Sequence, residues 1–181
     1  MRKVDVSLTP FWKICPPSNV VLVTCVTSDG KPNIITLGMN MHISAKPPLL
    51  VIGVSPKRCS HSLLKETGEF VVNVPSKDLV KQVIFCGTVS GRDHNKFKEA
   101  GLTPIPASKV KPPLIKECIS HIECKVVADY KCGDHTLFLG KVVAAHINEG
   151  YLREGELDVL KAQPLSRRGR YYFTPHLIFN A

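Results

Sequence analysis

Apolar positions along the chain fall mostly in short β-branched runs divided by turn residues, and only three stretches carry helical spacing. Residues 19–27, Asn-Val-Val-Leu-Val-Thr-Cys-Val-Thr, form a strand-type run. It closes at Ser28-Asp29-Gly30-Lys31, a hairpin-type turn with glycine where the backbone needs positive φ. The strand resumes over residues 33–38. Another strand over residues 49–55 follows Lys46-Pro47-Pro48, a break that cannot sit inside a central strand. Residues 60–68 predict a short helix with Ser60 as cap, Leu63 and Leu64 on its apolar side and Gly68 as its stop. Residues 70–75 return to a strand ended by Pro75. A second helix is expected over 76–87, capped by Ser76, with Leu79, Val80, Val83 and Ile84 on one face. A third, short and polar, spans 93–100 and ends at Gly101. Four prolines make residues 102–114 an extended loop. Two long strands, 118–130 and 135–147, follow, joined by Lys131-Cys132-Gly133-Asp134, and a tail over 152–181 mixes charge with Tyr171-Tyr172-Phe173.

Mostly strands, with three short helices inserted, describes a mainly β chain: a barrel with helical decoration. At 181 residues it fits one domain, with the tail docked on it at most. The apolar share of 44% excludes disorder as the main description. No window of eighteen apolar residues exists to cross a membrane as a helix, and the basic start at Arg2-Lys3 lacks the apolar run of a signal peptide. The expectation is a soluble, cytoplasmic protein without a membrane partner.

Seven cysteines, an odd number at irregular spacing with several inside apolar runs, read as reduced thiols rather than a disulfide framework. No C-x-x-C occurs. Cys118 and Cys124 flank His121, but on a strand the histidine points away from both thiols, which defeats metal coordination. The formal charge of +9 favours an anionic partner such as nucleic acid, an acidic surface or a phosphorylated cofactor. The basic residues are dispersed, apart from a cluster at Arg167, Arg168 and Arg170, and form no stripe of the kind nucleic acid requires.

Neither the dinucleotide-binding nor the P-loop glycine pattern is present. In Gly87-Thr-Val-Ser90-Gly91 the serine is displaced by one place from a nucleophile elbow, and a helix rather than a strand precedes it. Three polar segments remain. Residues 32–44 place small and hydroxylated side chains, Thr36 among them, where a flat ring can lie against a strand. In Ser55-Pro-Lys-Arg58-Cys-Ser60-His-Ser62 a strand, a loop and a helix start follow one another. Free N–H groups, hydroxyls and a guanidinium at that start suit a phosphate monoester, or else compose an ordinary capped helix with a surface arginine. Ser90-Gly91-Arg92-Asp93-His94-Asn95-Lys96 offers a tight turn, two cations and Asp93 as a helix cap.

The ordered series PNIIT, PPLLVIGVSPKR, FVVNVP, SGRDHNKF, GLTP and GDHTLFLGKV resembles the flavin-reductase-like (flavoredoxin-like) family over roughly residues 19–147. The resemblance implies a Greek-key split β-barrel that binds FMN, works as a homodimer and holds its flavin near the subunit interface. Carried over by position, Asn33, Ile35 and Thr36 would contact the flavin ring. Ser55, Arg58, Ser60 and Ser62 would form the phosphate turn, Asn73 would lie in the matching strand, and Ser90, Gly91 and Lys96 would form a second ligand loop. His135 would stand near the nicotinamide or flavin face. Gly38-Met39 departs from the commoner serine and aromatic pair, and the tail beyond Gln163-Pro164-Leu165 matches poorly. The implied activity is hydride transfer from NADH or NADPH to FMN and onward to an acceptor. The alternatives are an electron carrier that never meets nicotinamide and, more remotely, a basic nucleic-acid-binding barrel.

Overall fold

The computed structural model describes residues 4–5 and 10–178. The N-terminal reading over residues 1–7 therefore lies largely outside the described residues. In chain order the strands are β1 (Ser18–Asn19), β2 (Val21–Val26), β3 (Pro32–Leu37), β4 (Asn40–Ala45), β5 (Pro48–Val54), β6 (Glu69–Val74), β7 (Pro104–Ile105) and β8 (Leu114–Ile115). They continue with β9 (Ser120–Cys132), β10 (His135–Ile147), β11 (Leu152–Arg153), β12 (Glu156–Leu157), β13 (Ser166–Arg168) and β14 (Tyr171–Phe173). The helices are α1 (Cys59–Thr67), α2 (Val80–Thr88), α3 (Lys96–Ala100) and α4 (Val159–Ala162).

Seven strands form one antiparallel sheet in the order β3-β2-β6-β9-β10-β5-β4, whose two edges are β3 and β4. All six residues of β2 are buried because both of its faces are covered. Val21, Val23 and Cys25 face an inner core with Ile52, Phe70 and Phe138. Val20 and Leu22 face a second core beneath α2 and α3, with Val83, Cys86, Phe97 and Leu165. Fully burying a valine or leucine contributes roughly 1.5–3 kcal/mol, so a strand buried on both sides commits nearly every residue to one core or the other. That is why its sequence reads as an unbroken apolar run rather than an alternation.

The elements differ from expectation at several ends. β4 lies within a segment whose polar residues gave no strand signal. α1 begins at Cys59 after Arg58 in extended conformation, so Ser60 sits inside the first turn and caps nothing. Gly68, at φ 65°, ends α1 as expected. The second helix opens as a 3-10 turn over Lys77–Leu79, and Ser76 makes no side-chain cap. The third is shorter, and Asn95 rather than Asp93 caps it by accepting from the Lys98 N–H at 3.2 Å. The tail is built in: β13 pairs with β1, Ser18 opposite Arg167, and Ala162 and Leu165 are buried. Among the described residues no helix is long and apolar enough to cross a membrane.

The proline-rich loop is fastened from below by Glu123 of β9, whose side chain is fully buried. Its carboxylate accepts from the N–H groups of Ser108 (2.8 Å) and Lys109 (2.6 Å), from Ser108 Oγ (2.9 Å) and from His146 Nε2 (2.7 Å). Burial pushes this carboxyl up, but the hydrogen bonds outweigh it and hold it below its ordinary 4.5. A carboxyl depressed in the fold contributes stability above its unfolded value and loses it as the pH falls through the folded one. Glu123→Gln turns one acceptor oxygen into a donor facing donors. It should cost about 1–3 kcal/mol at neutral pH in urea unfolding. The gap to wild type should close between about pH 4.5 and the depressed folded value; a gap constant down to the lowest pH at which both proteins fold would refute this.

Candidate functional site

Two adjoining hollows open where edge strand β3 meets α1, α2 and the turn before α3. The first, about 110 Å³, is walled by Asn33 and Ile35 of β3, the start of α1, the end of α2 and Ser90-Gly91-Arg92. The second, about 180 Å³, runs from Ile35 and Thr36 past Met39, Gly53 and Ser55 to His135. Ile35, Arg58 and Gly87 border both, which makes the two one groove.

Several contacts fix its walls. Among the described residues β3 has β2 as its only strand partner, so its other flank is met by helices and by the groove. Thr36 Oγ1 donates to Val83 O at 2.6 Å and ties that flank to α2. A side chain at Gly87 would stand 3.2 Å from Thr36 Cβ, so glycine lets the end of α2 sit down on the strand. Across the groove α1 is docked by His61, whose Nε2 lies 2.9 Å from Thr136 Oγ1 and whose ring meets Phe138 edge-on.

Lys96 is the buried cation of the first hollow. Its Nζ donates to Ile34 O (2.8 Å) and Cys86 O (2.7 Å), and an ammonium has a third proton to give. Burial lowers its pKa below the ordinary 10.5, nearby Cys86 and Cys59 work against that shift, and Arg58 adds to it. Asn33 donates from Nδ2 to Ser60 Oγ at 2.9 Å, while its Oδ1 is buried without a hydrogen-bond partner. That amide fills the space a side chain at 91 would need, since a Cβ on Gly91 would fall 2.1 Å from Asn33 Oδ1. An orphan acceptor amid cations and hydroxyls fits a ligand that brings both an anion and hydroxyl donors. A sugar-alcohol phosphate is such a group.

At the far end His135 opens β10 with its side chain 27% exposed and its Nδ1 2.8 Å from Asp134 Oδ1. That bond holds the Asp134 carboxyl below its usual range and fixes the imidazole at the rim. Arg58 is exposed over the junction of the two hollows, and Arg92 reaches back to Lys57 O at 3.3 Å.

The structure thus gathers Asn33, Ile35, Arg58, Ser60, Ser90, Gly91 and Lys96 at the first hollow, and Thr36, Ser55 and His135 at the second. Two expected residues do not join them. Ser62 turns its hydroxyl back to Cys59 O at 2.9 Å. Asn73 is wholly buried in β6 and is fully engaged. Its Nδ2 donates to Leu22 O, while its Oδ1 accepts from the Ile115 N–H and lies 2.9 Å from His121 Nδ1. Burial, with His146 nearby, drives His121 down to about 4, so at neutral pH its uncharged ring belongs to this core network. No cluster able to hold a metal occurs among the described residues. The sequence reading left out Cys86 and Gly87, which reach the groove only because α2 ends there.

A family model described as "Flavin reductase like domain" matches residues 15–172. A protein of Archaeoglobus fulgidus is 42% identical over 135 residues, covering 74% of this chain and 75% of that protein. A flavin reductase (NADH) of Kitasatospora aureofaciens is 33% identical over 129 residues, covering 71% of this chain and 65% of its own length. Flavoredoxin of Desulfovibrio vulgaris (Miyazaki F) superimposes with a TM-score of 0.90 at 26% identity, over 100% of this chain and 97% of that one. With its split-barrel sheet and the groove along β3, the chain belongs to the flavin reductase-like family of flavin-binding proteins.

Proposed function

We propose that this chain binds flavin mononucleotide along the groove and transfers electrons through it, receiving them as hydride from NADH or NADPH. The observation that carries the reading is the pairing of two unlike hollows, one small and cationic, the other lying along an edge strand, with the orphan Asn33 acceptor at the first. One cationic hollow of that size suits a single phosphate, which favours a mononucleotide. When bound, the flavin supplies the redox chemistry, accepting a hydride and releasing electrons.

The protein's part is binding and orientation. Arg58, Ser60, Ser90 and Lys96 meet the phosphate, with the N–H groups that open α1. Asn33 accepts from the sugar-alcohol chain. Ile35 and Thr36 form the floor for the ring, and Met39 stands beside it in place of an aromatic wall. His135, steadied by Asp134, is placed to hydrogen-bond the nicotinamide donor and hold its reactive carbon over the ring. The acceptor is a small oxidant or a second protein. The likeness to flavoredoxin favours a second reading in which the same site carries electrons without meeting nicotinamide. A homodimer completes the reading: Met41 and Ile43 of edge strand β4 are exposed, and Met41 borders an apolar hollow of about 490 Å³ that a second copy would cover. Seven free thiols support a reducing compartment, the cytoplasm.

FMN should bind more tightly than FAD and far more tightly than riboflavin. Arg58→Ala should weaken FMN by about 1.5–3 kcal/mol, roughly tenfold to a hundredfold, and leave riboflavin nearly unchanged. The preference should hold at neutral pH and decline as the pH rises through the lowered Lys96 value, because a neutral amine no longer attracts the phosphate. Equal affinities for FMN and riboflavin in a fluorescence titration would remove the phosphate site.

His135→Ala should leave FMN affinity unchanged and slow anaerobic flavin reduction by NADH or NADPH about tenfold or more, the scale of one or two lost hydrogen bonds. Equal rates in variant and wild type would dismiss the role of His135, and a wild type that neither nucleotide reduces would establish the carrier. Sedimentation at micromolar concentration should show a dimer, and a monomer that holds FMN tightly would contradict the shared interface.

A further inference from the structure

The first hollow contains a thiol for which electron transfer has no use. Cys59 is half-buried, opens α1, borders the hollow, and on its inner side packs against the barrel core. α1 has nine residues, so its first N–H groups and the positive end of its dipole lie at this thiol. Lys57, Arg58, Arg92 and Lys96 border the same hollow, and no carboxylate does. The buried, unpartnered Oδ1 of Asn33 is an independent sign that this space is shaped for a ligand.

The other six thiols are differently placed. Cys25, Cys86, Cys118 and Cys124 are fully buried, and burial raises all four, Cys86 to about 11 and Cys25 and Cys124 to about 12. They stay protonated and unreactive at neutral pH. Cys15 and Cys132 are exposed and lie outside the hollow. Cys59 is thus the thiol that combines access with a setting of cations and a helix start, a setting that draws in anionic reagents.

We propose that Cys59 is a modification site for small anionic disulfides, and that its adduct and the phosphate of a bound mononucleotide exclude one another. The second half rests on the placement of phosphate under the proposed function; the first does not. In the reaction the Cys59 thiol gives its proton to solvent, and the thiolate attacks one sulfur of the incoming disulfide. A new S–S bond forms to that half, the old S–S bond breaks, and the other half leaves as a thiolate with the bonding pair. Phosphate and the end of an adduct held on Cys59 would both need the same hollow of about 110 Å³, so each would exclude the other. Oxidation of the small-thiol pool would therefore release the cofactor reversibly, and a reducing thiol would restore the site.

Oxidised glutathione is the probe. Purified protein, freed of flavin or loaded with FMN, is treated at neutral pH, and the adducts are located by peptide mass spectrometry. In the flavin-free protein Cys59 should react roughly tenfold or more faster than Cys132, as expected for an anion steered to a cationic cleft. The advantage should shrink in 1 M salt, and iodoacetate should show it where neutral iodoacetamide does not. Inorganic phosphate or FMN should protect Cys59 and leave Cys132 alone. The adduct should abolish FMN binding until dithiothreitol removes it, and the FMN affinity of Cys59→Ser should be the same before and after treatment. Cys59 reacting no faster than Cys132 would overturn the proposal. So would an adduct on Cys59 that leaves FMN affinity intact, or treated Cys59→Ser that loses it. If untreated protein binds no FMN, the functional reading fails by itself, and protection by inorganic phosphate still decides whether Cys59 lies in an anion site.

Discussion

The groove exists because β3 must satisfy its backbone without a second strand neighbour. An edge strand presents a row of N–H and C=O groups that either recruit another strand or must be covered. Here α2 and α3 lie against the edge, and side chains take the place of a ladder: Lys96 answers Ile34 O, and Thr36 is bonded to Val83 O. Helices cannot follow a strand residue by residue as another strand would, so a gap is left where α2 ends at Thr88 and α3 has yet to begin at Lys96. Under the proposed function that gap takes the phosphate of the nucleotide, while the ring lies farther along the strand.

The same economy governs the polar interior. Asn73 and Glu123 are buried on neighbouring strands of the sheet, and each has several partners. Asn73 joins β6 to β8 and β9, while Glu123 fixes the proline-rich loop. Both are fully engaged, as buried polar groups in a stable interior must be. Asn33 differs, because one of its oxygens is left over. That difference separates a polar residue that builds the fold from one that, under the proposed function, would meet a ligand.

Those distinctions set what could be read from the sequence. β2, β9 and β10 were legible because long β-branched runs bounded by turn residues have few other uses, and Gly68 and Gly101 marked helix ends through a backbone freedom particular to glycine. The turn at the head of α1 was legible as a helix start rich in hydroxyls and arginine. Which hydroxyl faced inward was not, since Ser60 and Ser62 differ only by the rotation of a helix whose cap lies two places earlier than expected. Asn73 was assigned to the site by position in a motif, whereas its partners on β8 and β9 come from residues about forty places away. Asn95 displaced Asp93 as cap because Ser90 O is taken up by the N–H groups of Asp93 and His94, which prolongs the turn before α3. β4 stayed hidden because much of it is exposed, so no alternation was imposed on it.

The strand pair made by β1 and β13 brings Ser18 and Asn19 against Arg167 and Ser166. Val20 gives its N–H to Leu165 O, and Leu165 is part of the core that β2 shares with α2. During synthesis the inner barrel can close once β10 has left the ribosome, but the second core stays open on one side until residue 165 arrives. The groove is bounded by α2 and α3, which rest on that core, so its walls are set only once residue 165 is in place.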